Sequence, residues 1–414
     1  MATIPSIAMI PSGYKAGKVY SVLPTNGDAD LTFTRVGALP SYNATRVNEN
    51  GLIEEVLSNV PRLDYFGGGC PSLLVEPQSR NLFTQSQNFI SGDWVQSLAT
   101  VSVATELSPS NDTTAYKLIP NSGTQASRIL NTNFNIPTAG DITISIFVKK
   151  VDYDFFYFRE DINNTIQNTF FNINSKTTIT PPTGRTSSIE DYGNGWVRVS
   201  LTSNSPDTTI SNIGFGFSDT SSSNVVTGDG IKYGLIWGAQ LEALPYATSY
   251  IPTVASTVTR VAETVSKTGL SSYINSNEGA LFVDLEYLTK TENTNKFISI
   301  SDGSPANNYI QIRLINNTLT YRSFINGVGG VSISTSLTNL ANKIALTWKN
   351  NNSQLWLNGV KINEDLISQT PNNLQSLFLS NENGGGAPLY GKIKNLQVFN
   401  TALSDAELQT LTSL

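Results

Sequence analysis

Between Lys343 and Ile362 apolar and polar residues alternate: Ile344, Leu346 and Trp348 fall on one side of the chain, Ala345, Thr347 and Lys349 on the other. Side chains on a pleated strand repeat every two residues, so the segment predicts a strand with one buried face and one wet face. Asn350 to Ser353 is a run of turn formers, after which Leu355 and Leu357 resume the phase. Asn358-Gly359 then supplies the positive φ angles of a tight turn before Val360 and Ile362. Two successive hairpins are expected. In a last strand, Gly391 to Asn400, Leu396 and Val398 share a face while Ile393 falls out of phase, which predicts a bulge between them. Ser404 is placed to cap a short helix with Glu407 returning the bond, and Leu403 to staple onto Leu408.

The same period recurs upstream. Ile142, Ile144, Ile146 and Val148 form one stripe, Val197, Val199 and Leu201 a second, and Ile231, Tyr233, Leu235, Trp237, Ala239 and Leu241 line a third face. Polar links such as Asn121 to Gly123 and Ser218 to Asn224 separate these runs at the spacing of a β-sandwich. Ala280 to Leu288, Phe297 to Ser301, Tyr309 to Leu314, Leu319 to Phe324 and Val331 to Ser336 lead into the hairpins described above. The first part of the chain reads differently, with short strands at Val19 to Leu23 and Leu31 to Val36 around Asn26-Gly27-Asp28. A small hairpin of Ala44 to Val47 with Gly51 to Glu55 follows, and Gly67-Gly68-Gly69 reads as a joint. The expected fold is all-β, an N-terminal β arm followed by two antiparallel β-sandwich (jelly-roll) domains. The boundaries are 1–79 for the arm, 80–253 for the first sandwich, 254–277 for a polar linker and 278–414 for the second sandwich.

Composition narrows the function. The 414 residues are 14% charged with net charge −6, and the 26 basic residues are scattered, so no stripe follows a phosphate backbone and nucleic acid is not an expected partner. No run of about twenty apolar residues is present and Met1 to Pro11 has no basic start, so neither membrane insertion nor a secretory signal is expected, and folding in a cytoplasm is. Cys70 stands alone, which rules out an intrachain disulfide. The absence of histidine removes the commonest general base and metal ligand, and with them serine-histidine and cysteine-histidine hydrolases and the usual zinc sites.

Three kinds of candidate chemistry remain. Asp284 and Glu286 lie two apart on a strand and point from one face, as paired glycosidase acids would; a solvated outer face explains them better. The adjacent pairs Glu54-Glu55, Glu160-Asp161, Glu190-Asp191 and Glu364-Asp365 point to opposite sides of a strand or lie in loops. Asp302-Gly303 with Asn307 and Asn308 offers oxygen atoms for calcium, without the regular acidic spacing of a dedicated loop. Aromatic residues suit stacking on sugar rings. Tyr153, Phe155 to Phe158, Trp196 and Trp237 are eligible in the first sandwich, and Tyr309, Tyr321, Trp348 and Trp356 in the second, though most must be core. No catalytic residue, metal ligand, cofactor or specific sugar contact is assigned.

Two resemblances add to this. Trp348, a polar spacer, Leu355-Trp-Leu-Asn-Gly359, then Gly391 to Asn400 and Ala402-Leu-Ser-Asp-Ala-Glu-Leu408, resemble the C-terminal half of concanavalin A-like domains of the laminin-G-like kind. Glucanases of that class carry Glu-x-Asp-x-x-Glu, whereas this chain has Asp284-Leu-Glu286-Tyr-Leu-Thr289 and lacks the third acid. The segments Thr45 to Tyr65, Cys70 to Phe83, Gly238 to Glu242 and Ala247 to Thr253 resemble stretches of tailed-bacteriophage virion proteins. That resemblance implies a non-enzymatic structural protein of the virion, a head or tail fibre, spike or decoration. It would be a homo-oligomer made in the bacterial cytoplasm, tied to other virion proteins through residues 1–79 and binding host-surface glycan through modules like carbohydrate-binding modules. A tail-spike glycan depolymerase and a purely architectural subunit are the alternatives.

Overall fold

The computed structural model describes residues 3–36, 44–162, 165–205, 209–289, 292–304, 307–380, 387 and 389–414. The chain is nearly all-β, 52% strand and 2% helix, and its paired strands are antiparallel. No helix among the described residues is long and apolar enough to cross a membrane.

The hairpins read from Lys343 to Ile362 form as Ala341–Lys349, Ser353–Leu357 and Val360–Asp365. Asn358 and Gly359 take φ values of 51° and 82°, the left-handed pair of a tight hairpin turn. The bulge is also present. Asp284 pairs with Asn395 and Leu285 with Ile393, so Lys394 is the extra residue, and Ile393, Leu396 and Val398 all reach one core. The helix Asp405–Thr412 carries the capping box of Ser404 and Glu407, and Leu403 and Leu408 pack in one small cluster above the sheet.

These strands belong to a sandwich of eight and nine strands. In the eight-stranded sheet Glu278–Tyr287 lies between Ala341–Lys349 and Gly391–Phe399. The nine-stranded sheet ends in the run Ser376–Phe378, Lys296–Ser301, Tyr309–Ile315, Thr318–Ile325 and Val328–Ser336. Ile344, Leu346, Trp348, Ile298, Ile300, Ile310 and Ile312 meet between them. Burial of this kind contributes on the order of 1.5–3 kcal/mol per large apolar side chain.

The expected N-terminal arm is corrected by the topology. Ile7–Met9 pairs with Gly391–Phe399, and Ser72–Val75 extends the same sheet with Arg62–Asp64 beyond it. Leu31–Thr34 pairs with Thr264–Lys267 in the opposite sheet. Ile7, Met9, Leu31, Phe33, Leu63, Leu73 and Val75 therefore sit in the same core as Leu281 and Val398. Short strands have too little apolar surface to stand alone, and here they obtain it from a sandwich encoded some 200 residues later. The polar linker behaves likewise, since Val265, Leu270 and Ile274 join that core. Gly67 to Gly69, with φ between 77° and 84°, form the turn between Arg62–Asp64 and Ser72–Val75.

The first sandwich packs two six-stranded sheets. Ile142, Ile144, Ile146 and Val148 meet Phe156, Phe158, Phe215 and Phe217 in its core. The expected third face splits in two. At Gly238, φ 61°, the register beside Gly140–Lys149 shifts, so Leu235 and Trp237 point one way while Ala239 and Leu241 point the other. The outward set is buried as well: Phe147, Trp196, Leu235 and Trp237 cluster with Tyr250, which follows the Gly234–Glu242 strand, and with Ile53 of the Ala44–Val47/Ile53–Val56 hairpin. The two sandwiches thus share a joint.

Candidate functional site

Asp284 and Glu286 point outward from Glu278–Tyr287, since Val283 and Leu285 between them fill the core. Their cross-strand neighbours are Lys343 and Asn395 for Asp284, and Ala341 and Lys392 for Glu286. This is an ordinary charged outer face in which lysines lie across from carboxylates. The Asp302 carboxylate accepts from Ser304 N at 2.8 Å, Asn308 Nδ2 at 3.0 Å and Asn307 Nδ2 at 3.2 Å, so its oxygens already serve the loop that carries them. No group of three or more histidine, cysteine or acidic side chains placed to hold a metal occurs among the described residues.

The tryptophans are interior. Trp196, Trp237 and Trp348 are at most 2% exposed, and each donates its indole N–H inside the protein, to Leu107 O, Thr114 Oγ1 and Asn275 O. Trp356, Tyr321, Tyr153, Phe156, Tyr157 and Phe158 are buried too, while Phe155 is half-buried. Tyr309 is buried as well, 4% exposed, but it lies against a half-buried ring. Its ring stacks on Phe324 at 4.8 Å and 13°, and Phe324 is half-buried.

That pair lies on the outer face of the nine-stranded sheet. Ile298, Ile300, Ile310, Ile312, Leu314, Leu319, Tyr321, Val331 and Ile333 take the inward phase. The outward phase, set by strand register, is a grid. Phe297, Arg313, Thr320 and Ser334 form one row, Ser299, Gln311, Arg322 and Ser332 the next, and Ser301, Tyr309 and Phe324 the third. Gln311 Nε2 donates to Ser299 Oγ at 3.1 Å, and Ser299 Oγ donates to Ser380 O at 2.7 Å, which fixes the amide. Arg313 Nε donates to Asn295 Oδ1 at 2.6 Å, and the Arg322 guanidinium lies 5.1 Å from the centre of the Phe324 ring. Partial burial and the neighbouring Arg322 charge lower the Arg313 pKa from its ordinary value. No carboxylate among the described residues pairs with either guanidinium.

The half-buried guanidiniums of Arg313 and Arg322 and the exposed hydroxyls of Ser332 and Ser334, beside the Phe324 edge and over the buried Gln311 amide, make a surface of hydrogen-bond donors suited to sugar hydroxyls and carboxylates. Arg313, Arg322, Gln311 and Phe324 were not singled out in the sequence. Their phase was visible there, because each alternates with a core residue, but their assembly side by side depends on register.

The virion-like motifs turn out to be joints of the fold. Glu242 accepts from Ser79 Oγ at 2.6 Å and Thr248 N at 3.0 Å, Gln240 Oε1 accepts from Ile251 N at 2.6 Å, and Tyr250 and Ser86 share a hydroxyl bond of 2.6 Å. Gly238 to Glu242 and Ala247 to Thr253 are thereby stitched to the segment that opens the first sandwich.

No curated protein matches the chain. Among solved structures, the Ruminococcus gnavus IT-sialidase CBM40 is 16% identical with a TM-score of 0.30, over 35% of this chain and 91% of that one. The NanB sialidase of Streptococcus pneumoniae is 17% identical with a TM-score of 0.30, over 36% of this chain and 26% of that one. The Botulinum neurotoxin serotype G binding domain is 13% identical with a TM-score of 0.30, over 36% of this chain and 39% of that one. Residues 280–409, the larger part of the second sandwich, match the laminin-G-like family model of the concanavalin A-like lectin/glucanases superfamily, the class to which Leu355 to Gly359 and Ala402 to Leu408 pointed.

Proposed function

We propose that the chain is a non-enzymatic display protein that binds glycan through its lectin-like sandwich, on the outer face of the nine-stranded sheet. The observation that carries this reading is the half-buried pair Arg313 and Arg322, set over the buried Gln311 amide and beside the Phe324 ring that stacks on Tyr309. It offers donors and an aromatic edge to a sugar ring. The virion setting rests on the sequence resemblance of Thr45 to Tyr65, Cys70 to Phe83, Gly238 to Glu242 and Ala247 to Thr253. In that setting, many copies on one particle turn weak glycan contacts into avidity.

A glycan array probed with the full chain tests this directly. Binding lost in Arg313→Gln/Arg322→Gln, with an unchanged far-UV spectrum, is the expected result; an array blank for the wild type favours an architectural subunit. The depolymerase reading has its own assay. Oligosaccharide released from host polysaccharide, and abolished by Asp284→Asn/Glu286→Gln, would replace the binding reading with a catalytic one.

A further inference from the structure

The first sandwich has a second arginine-bearing face. In the sheet of Trp94–Ser97, Arg128–Asn135, Thr209–Ser218, Phe155–Ile162 and Thr165–Asn172, the inward phase is filled by Ile129, Phe156, Phe158, Phe171, Ile213, Phe215 and Phe217. The outward phase runs Phe170, Tyr157, Gly216 in one row and Asn168, Arg159, Gly214, Leu130 in the next. Arg128, two residues from Leu130, shares that face. The glycines make room: a Cβ at Gly216 would lie 2.3 Å from Ser127 O and 3.0 Å from the Tyr157 ring, and one at Gly214 would lie 2.3 Å from Leu130 Cδ2. Tyr157 is thus laid down over a glycine, its hydroxyl donating to Ser127 O at 3.0 Å.

The charges on this floor are not balanced by a close glutamate, as those of several other arginines are. Arg35, Arg62, Arg185 and Arg260 each hold a glutamate at 2.5 to 2.8 Å. Arg128 donates to Ala126 O at 3.0 Å and lies against the Tyr157 hydroxyl, and among the described residues its Nε, like Asn168 Oδ1 across the same floor, is buried without a partner. The carboxylate nearest Arg159, that of Asp161, is 3.9 Å away and already accepts from Asn212 Nδ2 at 3.2 Å. Burial and the Arg128 charge lower the Arg159 pKa, and burial lifts the Tyr157 phenol to about 12 against the pull of both guanidiniums. Two like charges held together over a low floor are stabilised by an anion placed between them.

We infer that Arg128 and Arg159, on the Gly214/Gly216 floor beside Tyr157 and Phe170, form a second binding site that takes the anionic substituent of an acidic oligosaccharide, a uronate carboxylate or a sulfate ester. The half-buried Phe170 ring, 5.8 Å from Tyr157, gives the sugar an apolar edge, and Asn168 and Asn212 give its hydroxyls partners. One isolated pair of arginines on a chain of net charge −6 suits a single charged group better than the phosphate track of a nucleic acid. This site stands whether or not the nine-stranded sheet binds glycan.

Calorimetry on the full chain with tetragalacturonate, a sulfated maltotetraose, unmodified maltotetraose and inorganic sulfate tests it. One anionic sugar is expected to bind, more weakly as salt rises, and the neutral sugar not to bind. Arg128→Gln/Arg159→Gln should weaken that binding by about tenfold or more, Arg159→Lys by less because it keeps the charge without the fork, and Arg313→Gln/Arg322→Gln should leave it unchanged. Failure of both anionic sugars to bind, equal binding of the neutral sugar, binding of sulfate alone, or loss only through Arg313 and Arg322 overturns the inference. Arg159→Gln alone, checked by its melting temperature, covers the case in which the double variant does not fold.

Discussion

Arg62 is fully buried and reaches Glu263 at 2.5 Å and Glu76 at 2.6 Å, while Arg260 meets Glu76 at 2.8 Å and Arg35 meets Glu263 at 2.7 Å. Arg35, Arg62 and Glu76 come from the N-terminal segment and Arg260 and Glu263 from the linker, and Ser249 at the end of the first sandwich donates to Glu76 from N at 2.7 Å and Oγ at 2.6 Å. Removing one partner strands the others in a dry interior, so Arg62→Met is expected to cost about 3–5 kcal/mol in a denaturant titration. Burial by itself would raise the Glu76 pKa, but Arg260, Arg62 and the Ser249 bonds outweigh it and hold the carboxyl well below its ordinary 4.5. A depressed folded-state pKa contributes stability that is present above the unfolded value and lost as pH falls towards the folded one. The melting temperature should therefore drop on acidification below about pH 4.5, and by less in Glu76→Gln, as a pH series of thermal melts would show.

At the scale of elements, short-range chemistry decides the turns and the cap. Ser404 Oγ accepts from Glu407 N while Glu407 Oε2 accepts from Ser404 N at 3.0 Å, and Thr3 Oγ1 donates to Glu407 Oε1 at 2.6 Å. Those bonds to Thr3 and Ser404 hold the Glu407 pKa down to about 2. Ser404→Ala is expected to lower stability by about 1 kcal/mol, read from the denaturation midpoint. Gly359 sits at φ 82° with Ser413 Oγ 3.3 Å from where its Cβ would be, so Gly359→Ala should cost about 1 kcal/mol with little change in m-value. The Ser404–Glu407 cap and the Asn358-Gly359 turn each lie within a few residues, which is why the chain reads them out so directly, whereas the contacts to Thr3 and Ser413 come from far along it. The Gly238 bulge was missed because a continuous apolar run carries no mark of where its phase changes.

At the scale of the molecule, the N-terminal strands close the sheets of the second sandwich. A fragment of residues 80–414 loses Ile7, Met9, Leu31, Phe33, Leu63, Leu73 and Val75 from the core and uncovers the edge of Gly391–Phe399. Exposed edges and apolar surface promote aggregation. The fragment is expected to be insoluble, or to lack the cooperative unfolding of the full chain; a soluble, cooperatively melting 80–414 fragment would contradict this assignment of the strands.

Local sequence determined the all-β class, most strands of the second sandwich and three of the first, the Asn358-Gly359 turn, the bulge before Leu396 and the Ser404 cap, because each depends on neighbours within one turn or one strand. Tertiary structure alone decided which strands lie side by side. A period of two says which way a side chain points but is the same for every pairing and register, so the sequence could not place Arg313 beside Arg322, Arg159 over Gly214, or Ile7 against Val398. Those neighbourhoods, and the site they make, follow from the competition of strands for the edges of two cores.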